Sequence, residues 1–88
     1  MLENIKETLI KNLSLTTYEY KLIELQTYIN SDDKKSMLLL EGESDAYAVL
    51  LSKHFPDVDM EQILIDAINK AKNEINGDLV QQDYKIAA

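Results

Sequence analysis

The stretch Ser36-Met37-Leu38-Leu39-Leu40-Glu41-Gly42-Glu43-Ser44-Asp45 decides the fold. Read as one helix, it continues a stripe in which Met37, Leu40, Tyr47, Leu51 and Phe55 share a face. Read as a turn at Glu41–Asp45, it separates a short helix from another that starts near Ser44. Read as a strand over Ser36–Glu41, it needs a partner, and Leu79–Ile86 is the available one, because Val80, Gln82, Tyr84 and Ile86 follow one another at every second position. Leucine favours the helical readings. Pro56 ends the segment in each case.

The flanking segments are plainer. Leu2, Ile5, Leu9 and Leu13 follow one helical face, with Glu3, Glu7 and Lys11 on the other. Thr16 and Glu19 have the T-x-x-E spacing of a capping box, with Leu15 and Tyr20 at the staple positions, so a second helix is predicted from Thr16 to Ile29. Its main stripe is Tyr18, Leu22, Leu25 and Ile29, and a weaker one of Tyr20, Ile23 and Thr27 lies on roughly the opposite side. Asn30-Ser31-Asp32-Asp33 ends that helix and can cap the next. Farther on, Asp59 is a good N-cap, with Gln62 at box spacing and Val58 and Ile63 at the staple positions. Met60, Ile63, Leu64, Ala67, Ile68, Ala71 and Ile75 continue as one stripe, and Gly77 is placed as the residue that ends it. The predicted fold is therefore all-α, an antiparallel bundle of three to four helices over residues 1–77 with a tail at 78–88. An α+β arrangement with a two-stranded element is the runner-up.

Composition narrows the function. The 88 residues carry nine lysines, no arginine and sixteen acids, for a net charge of −7, and no cysteine. There is no thiol chemistry and no thiolate metal site. Net negative charge opposes phosphate, and without guanidinium groups there is no bidentate recognition, so direct nucleic-acid binding is not expected. The N-terminal residues show no basic segment followed by an apolar run, and no apolar run in the chain, Met37–Leu40 included, approaches the length of a membrane span, so neither a secretory signal nor a membrane span is predicted. A cytoplasmic protein is the expectation. The polar helix faces are mixed or acidic, which argues against binding at an anionic lipid surface.

Two acidic clusters stand out: Asp57, Asp59 and Glu61, and Glu41, Glu43 and Asp45. Neither completes a calcium loop, since Gln62 and Ala46 stand where glycine is required and Ile68 and Ser52 where glutamate is. They read as acids near helix N-termini and as acidic surface, so no metal is expected. His54, the only histidine, falls within the apolar stripe with Tyr47, Leu50, Leu51 and Phe55. It has no nucleophile in visible partnership; Ser44 and Ser52 read as cap or surface residues. With only Gly42 and Gly77 there is no phosphate loop. No catalytic residue and no cofactor site is therefore assigned, and the chain is not expected to be an enzyme.

What remains is interaction. Tyr20, Ile23, Thr27 and Tyr28, joined by Tyr84 from the tail, form a candidate contact surface, because tyrosine buries area while keeping a polar tip. The expected partner is a second copy of the chain or a larger, basic protein, such as a nuclease or a nucleic-acid-handling protein, whose groove the acidic surface would occupy. Immunity proteins and phage-encoded inhibitors of host machinery share this size, charge and class, and the comparison goes no further than that. The alternative expectation is an oligomeric binder of small, nucleotide-like ligands, with pockets between subunits and Lys34–Lys35 or Lys70 and Lys72 meeting the anion.

Overall fold

A computed structural model describes the backbone of residues 2–87 and the side chains of residues 2–76. Three helices follow one another: α1 (Leu2–Glu24), α2 (Ser31–His54) and α3 (Met60–Ala87). The fold is a small all-α bundle, and among the described residues there is no strand. The α+β alternative is thereby set aside: Ser36–Glu41 lies inside α2 and Leu79–Ile86 inside α3.

The first two predicted helices are one. Thr16 is not a cap but a buried mid-helix residue, whose hydroxyl donates to the carbonyls of Asn12 at 2.9 Å and Leu13 at 3.2 Å. Residues 13–16 contain no glycine or proline, so nothing breaks the backbone ladder there, and a threonine hydroxyl within a helix satisfies itself on the preceding turn. Helix α1 then ends at Glu24, earlier than Ile29. The amide of Leu25 still bonds Lys21 at 3.0 Å, and that of Gln26 turns back to Ile23 at 3.1 Å.

Helix α2 begins where predicted. The amide of Asp33 donates to the Asn30 side chain at 2.7 Å, and the amide of Asn30 donates to the Asp33 carboxylate at 3.2 Å, a reciprocal capping box. Gly42 does not interrupt it. The helix runs on to His54, and Phe55 closes it by donating its backbone N–H to the Leu51 carbonyl at 2.8 Å, just before Pro56. Helix α3 starts after Asp59, which accepts from the Gln62 amide at 3.1 Å. It passes through the predicted stop at Gly77 and continues to Ala87. A glycine inside a helix costs roughly 1 kcal/mol relative to alanine, which a long helix tolerates.

In space α1 is central. It packs against both α2 and α3, whereas among the described residues those two meet each other only marginally, with a contact from the Ser52 hydroxyl to the Met60 sulfur at 3.6 Å close to their connection. Helices α1 and α2 are antiparallel, as the pairing of Thr16 with Ser44 and the grooves joining Ile5 to His54 and Ile23 to Ser36 require. Helices α1 and α3 run parallel, joined by Lys6 to Asp57 at one level and Tyr18 to Glu74 at another. Among the described residues the core is small: Leu13 and Thr16 from α1, Leu51 from α2, and Ala67 and Ala71 from α3. The two alanines, one helical turn apart, are the small residues that let α3 lie close on α1. Being covered on two sides explains why α1 carries two stripes, with Tyr18 turned to α3 and Ile23 to α2.

Candidate interaction site

The open angle between α2 and α3 forms a cleft of about 260 Å³ floored by α1. Thr17 and Tyr20, three residues apart on α1, supply the floor. Glu41, Ser44 and Asp45, on one face of α2, supply one wall, and Leu64 of α3 faces them. The α2 wall is fixed by the Ser44 hydroxyl, which donates to Thr16 Oγ1 at 2.7 Å. Glu41 and Asp45 stand on either side of that anchor at the rim, both exposed. Among the described residues neither carboxylate forms an ion pair; the two that exist are Lys6–Asp57 at 3.0 Å and Lys21–Glu24 at 2.6 Å. The cleft therefore holds two uncompensated negative charges over a half-buried tyrosine. Thr17 Oγ1 lies buried beneath it with no hydrogen-bond partner among the described residues.

The predicted contact patch is not one surface. Tyr20 belongs to this cleft, whereas Ile23 turns to a groove of about 500 Å³ between α1 and α2, beside Leu22, Leu39 and Leu40. Thr27 and Tyr28 lie past the end of α1 in the connection, and Tyr28 is 77% exposed. Helical periodicity cannot align residues that follow the helix end. Tyr84 lies outside the residues whose side chains are described.

The acids separate in the same way. Glu41 and Asp45 border the cleft, and Glu43 borders the α1–α2 groove. Asp57 pairs with Lys6, and that hydrogen bond, with a backbone bond and the charge of the ammonium, holds its carboxyl below the usual aspartate range. Asp59 caps α3 and Glu61 sits in its first turn, where the helix dipole favours an acid. Among the described residues no group of three or more histidines and acids is placed to hold a metal ion. His54 is exposed at the C-terminal end of α2, beside Leu2, Ile5, Leu9, Leu50 and Phe55. Lys70 lies 4.8 Å from the centre of the Tyr18 ring, a cation–π contact, while the Tyr18 hydroxyl bonds the Glu74 carboxylate.

The sequence reading missed Thr17 and Leu64 as site residues and the contact between Ser44 and Thr16. The available signal was a pair of threonines, Thr16-Thr17, in a stretch free of helix breakers, which places polar groups mid-helix. Comparison of the chain with protein-family models, curated proteins and solved structures finds no match. Among the described residues no helix is long and apolar enough to cross a membrane.

Proposed function

We propose that this chain is a non-enzymatic, cytoplasmic interaction protein that captures a basic segment of a partner protein in the cleft between α2 and α3. In that role it is an inhibitor of a basic, nucleic-acid-handling partner, acting by occupying the partner's cationic surface. The observation that carries the reading is the meeting of Glu41 and Asp45, neither in an ion pair among the described residues, with the half-buried ring of Tyr20. A lysine or arginine laid into this cleft would set its methylene stem against Tyr20 and Leu64 and its charged head beside the two carboxylates. The chain uses the same chemistry internally, where Lys70 covers Tyr18. The overall charge of −7 would speed encounter with a basic partner.

The test is titration of the ¹⁵N-labelled chain with a short lysine- and arginine-rich peptide. Amide shifts confined to Tyr20, Glu41, Asp45 and Leu64 are expected, and binding should weaken as salt is raised. The double substitution Glu41→Gln with Asp45→Asn should reduce affinity about tenfold. Equal binding by that variant, or shifts spread evenly to Asp57 and Glu61, would count against the cleft.

A further inference from the structure

The face of α2 turned away from α1 carries a second apolar stripe. Leu38 and Leu39 are 70% and 69% exposed, Val49 is 63% and Leu50 is 41% exposed, and Gly42 and Ala46 between them are exposed as well. At about 100° per residue these six positions centre on the side opposite Met37, Leu40, Ser44, Tyr47, Ala48 and Leu51, with Leu39 and Leu50 at the edge that borders the grooves between α1 and α2. A soluble helix apolar on two opposite faces is ordinarily buried on both. Here α1 covers one, and α3 hardly touches α2.

We propose that this outer face is the interface of a two-fold symmetric homodimer, in which α2 packs antiparallel against α2 of a second copy. Three observations select a second copy as the occupant. The first is self-complementarity. Leu38 and Leu50 lie six residues on either side of position 44, Leu39 and Val49 lie five, and Gly42 and Ala46 lie two. An antiparallel two-fold at that level sets large residues against large ones at both ends and small against small at the centre. A two-fold interface requires this kind of pairing, because one patch must fit itself.

The second is shape. Leu38, Gly42, Ala46 and Leu50 form one ridge at four-residue spacing, the ridge used in the commonest class of helix crossing. The two small residues sit at its middle, where the axes come closest. A Cβ added at Gly42 would meet nothing within 4 Å in the single chain, so that space is open to a neighbour.

The third is area. The four large side chains expose on the order of 400 Å² of apolar surface per chain, as much as the largest patch on a typical monomer. The stripe also extends at its ends. Leu50 shares a groove with the exposed Leu2 and Ile5, and Leu39 shares one with Ile23. An antiparallel partner brings its Leu38–Leu39 end to the first of these grooves. The four side chains of both copies supply on the order of 800 Å², and the groove residues at the two ends extend the contact toward the lower bound of about 1,000 Å² for a specific interface.

Charge sets how this dimer responds to solvent. Glu41 and Asp45 flank the stripe on one side and Glu43 on the other, Lys35 and Lys53 stand at its two ends nine residues either side of position 44, and a two-fold brings each flank toward its own copy and each lysine end toward the other. Apolar contact therefore works against repulsion between two chains of −7 each. The dimer tightens as salt rises, the opposite of what capture of a basic peptide does.

The experiment is sedimentation of the full chain across a dilution series, with Ala46→Glu beside it. The native chain is expected to sediment as a dimer that dissociates on dilution. Ala46→Glu, at an exposed position, should keep its helicity and raise the dissociation constant about a hundredfold or more. Because the chain has no cysteine, register can be read by mixing Leu38→Cys chains with Leu50→Cys chains under mild oxidation. A covalent dimer in the mixture, with none from Leu38→Cys alone, is the antiparallel result. A native chain that stays monomeric up to about 1 mM, a dimer unaffected by Ala46→Glu, or self-linking of Leu38→Cys would each overturn the proposal.

Discussion

On its inner face α2 turns Met37, Leu40, Ser44, Tyr47, Ala48 and Leu51 to α1; on its outer face it exposes Leu38, Gly42, Ala46 and Val49, with Leu39 and Leu50 at the edge bordering the α1–α2 grooves. The two sets are close in apolar content. They differ in what meets them. The inner set includes a serine whose hydroxyl reaches Thr16 on α1, and a leucine with no exposed surface. The outer set has a glycine and an alanine where a neighbouring backbone could come near. Composition alone does not distinguish a face packed within the chain from one left open to another molecule. The distinction appears in the polar contacts and in where the small residues fall.

Truncating one large residue on each face separates them most sharply. Leu51→Ala should cost about 2–5 kcal/mol in urea unfolding, because it leaves a cavity in a core of few residues. Leu39→Ala should change the stability of the dilute monomer by less than about 0.5 kcal/mol. Equal losses would mean that the two faces are equally packed within one chain.

A smaller effect is expected where α2 begins. Asn30→Ala removes one half of a reciprocal cap and should cost about 1 kcal/mol. Replacing Gly42 by alanine should act in the other direction. In the dilute monomer it should stabilise by about 0.5–1 kcal/mol, since the site is helical and the new methyl meets nothing. The same variant should weaken self-association if the outer face closes around Gly42, so its two effects have opposite signs.

The slightest expected effect lies away from α2. Asp57 is held below its ordinary pKa by Lys6, so its contribution is present above the unfolded value and fades as pH falls through the folded one. Lys6→Met should return the Asp57 carboxyl toward the ordinary range in an NMR titration, with almost no change in unfolding, because the aspartate is exposed.

Much of this fold was legible in local chemistry. Asn30 through Asp33, Pro56 and Asp59 mark helix ends by mechanisms contained within a few residues, and the structure places boundaries beside all of them. Thr16 and Glu19 have the same kind of spacing and mark nothing. A capping box needs a chain that enters from a non-helical conformation, and residues 13–15 offer no cause to leave the helix. Gly77 was misread similarly, since glycine permits a stop without requiring one. The candidate cleft was half legible. Tyr20, Glu41 and Asp45 were each singled out, but in separate groups, because only the placement of α1 beneath α2 and α3 brings them together.

That central placement of α1 has a kinetic consequence. Helices α1 and α2 are joined by the short connection from Leu25 to Asn30, whereas the Tyr18–Glu74 bond that ties α3 to α1 spans 56 residues of chain. Closing the longer loop costs more entropy. The α1–α2 hairpin is thus expected to assemble first, with α3 docking along its exposed edge afterwards. Stopped-flow measurements on Leu51→Ala should then show slower folding, and on Ala71→Gly chiefly faster unfolding. The reverse pattern would make α3 part of the nucleus. Until α3 docks, the seat for Ala67 and Ala71 on α1 stays open to water, and the nascent hairpin carries that uncovered apolar face through the interval.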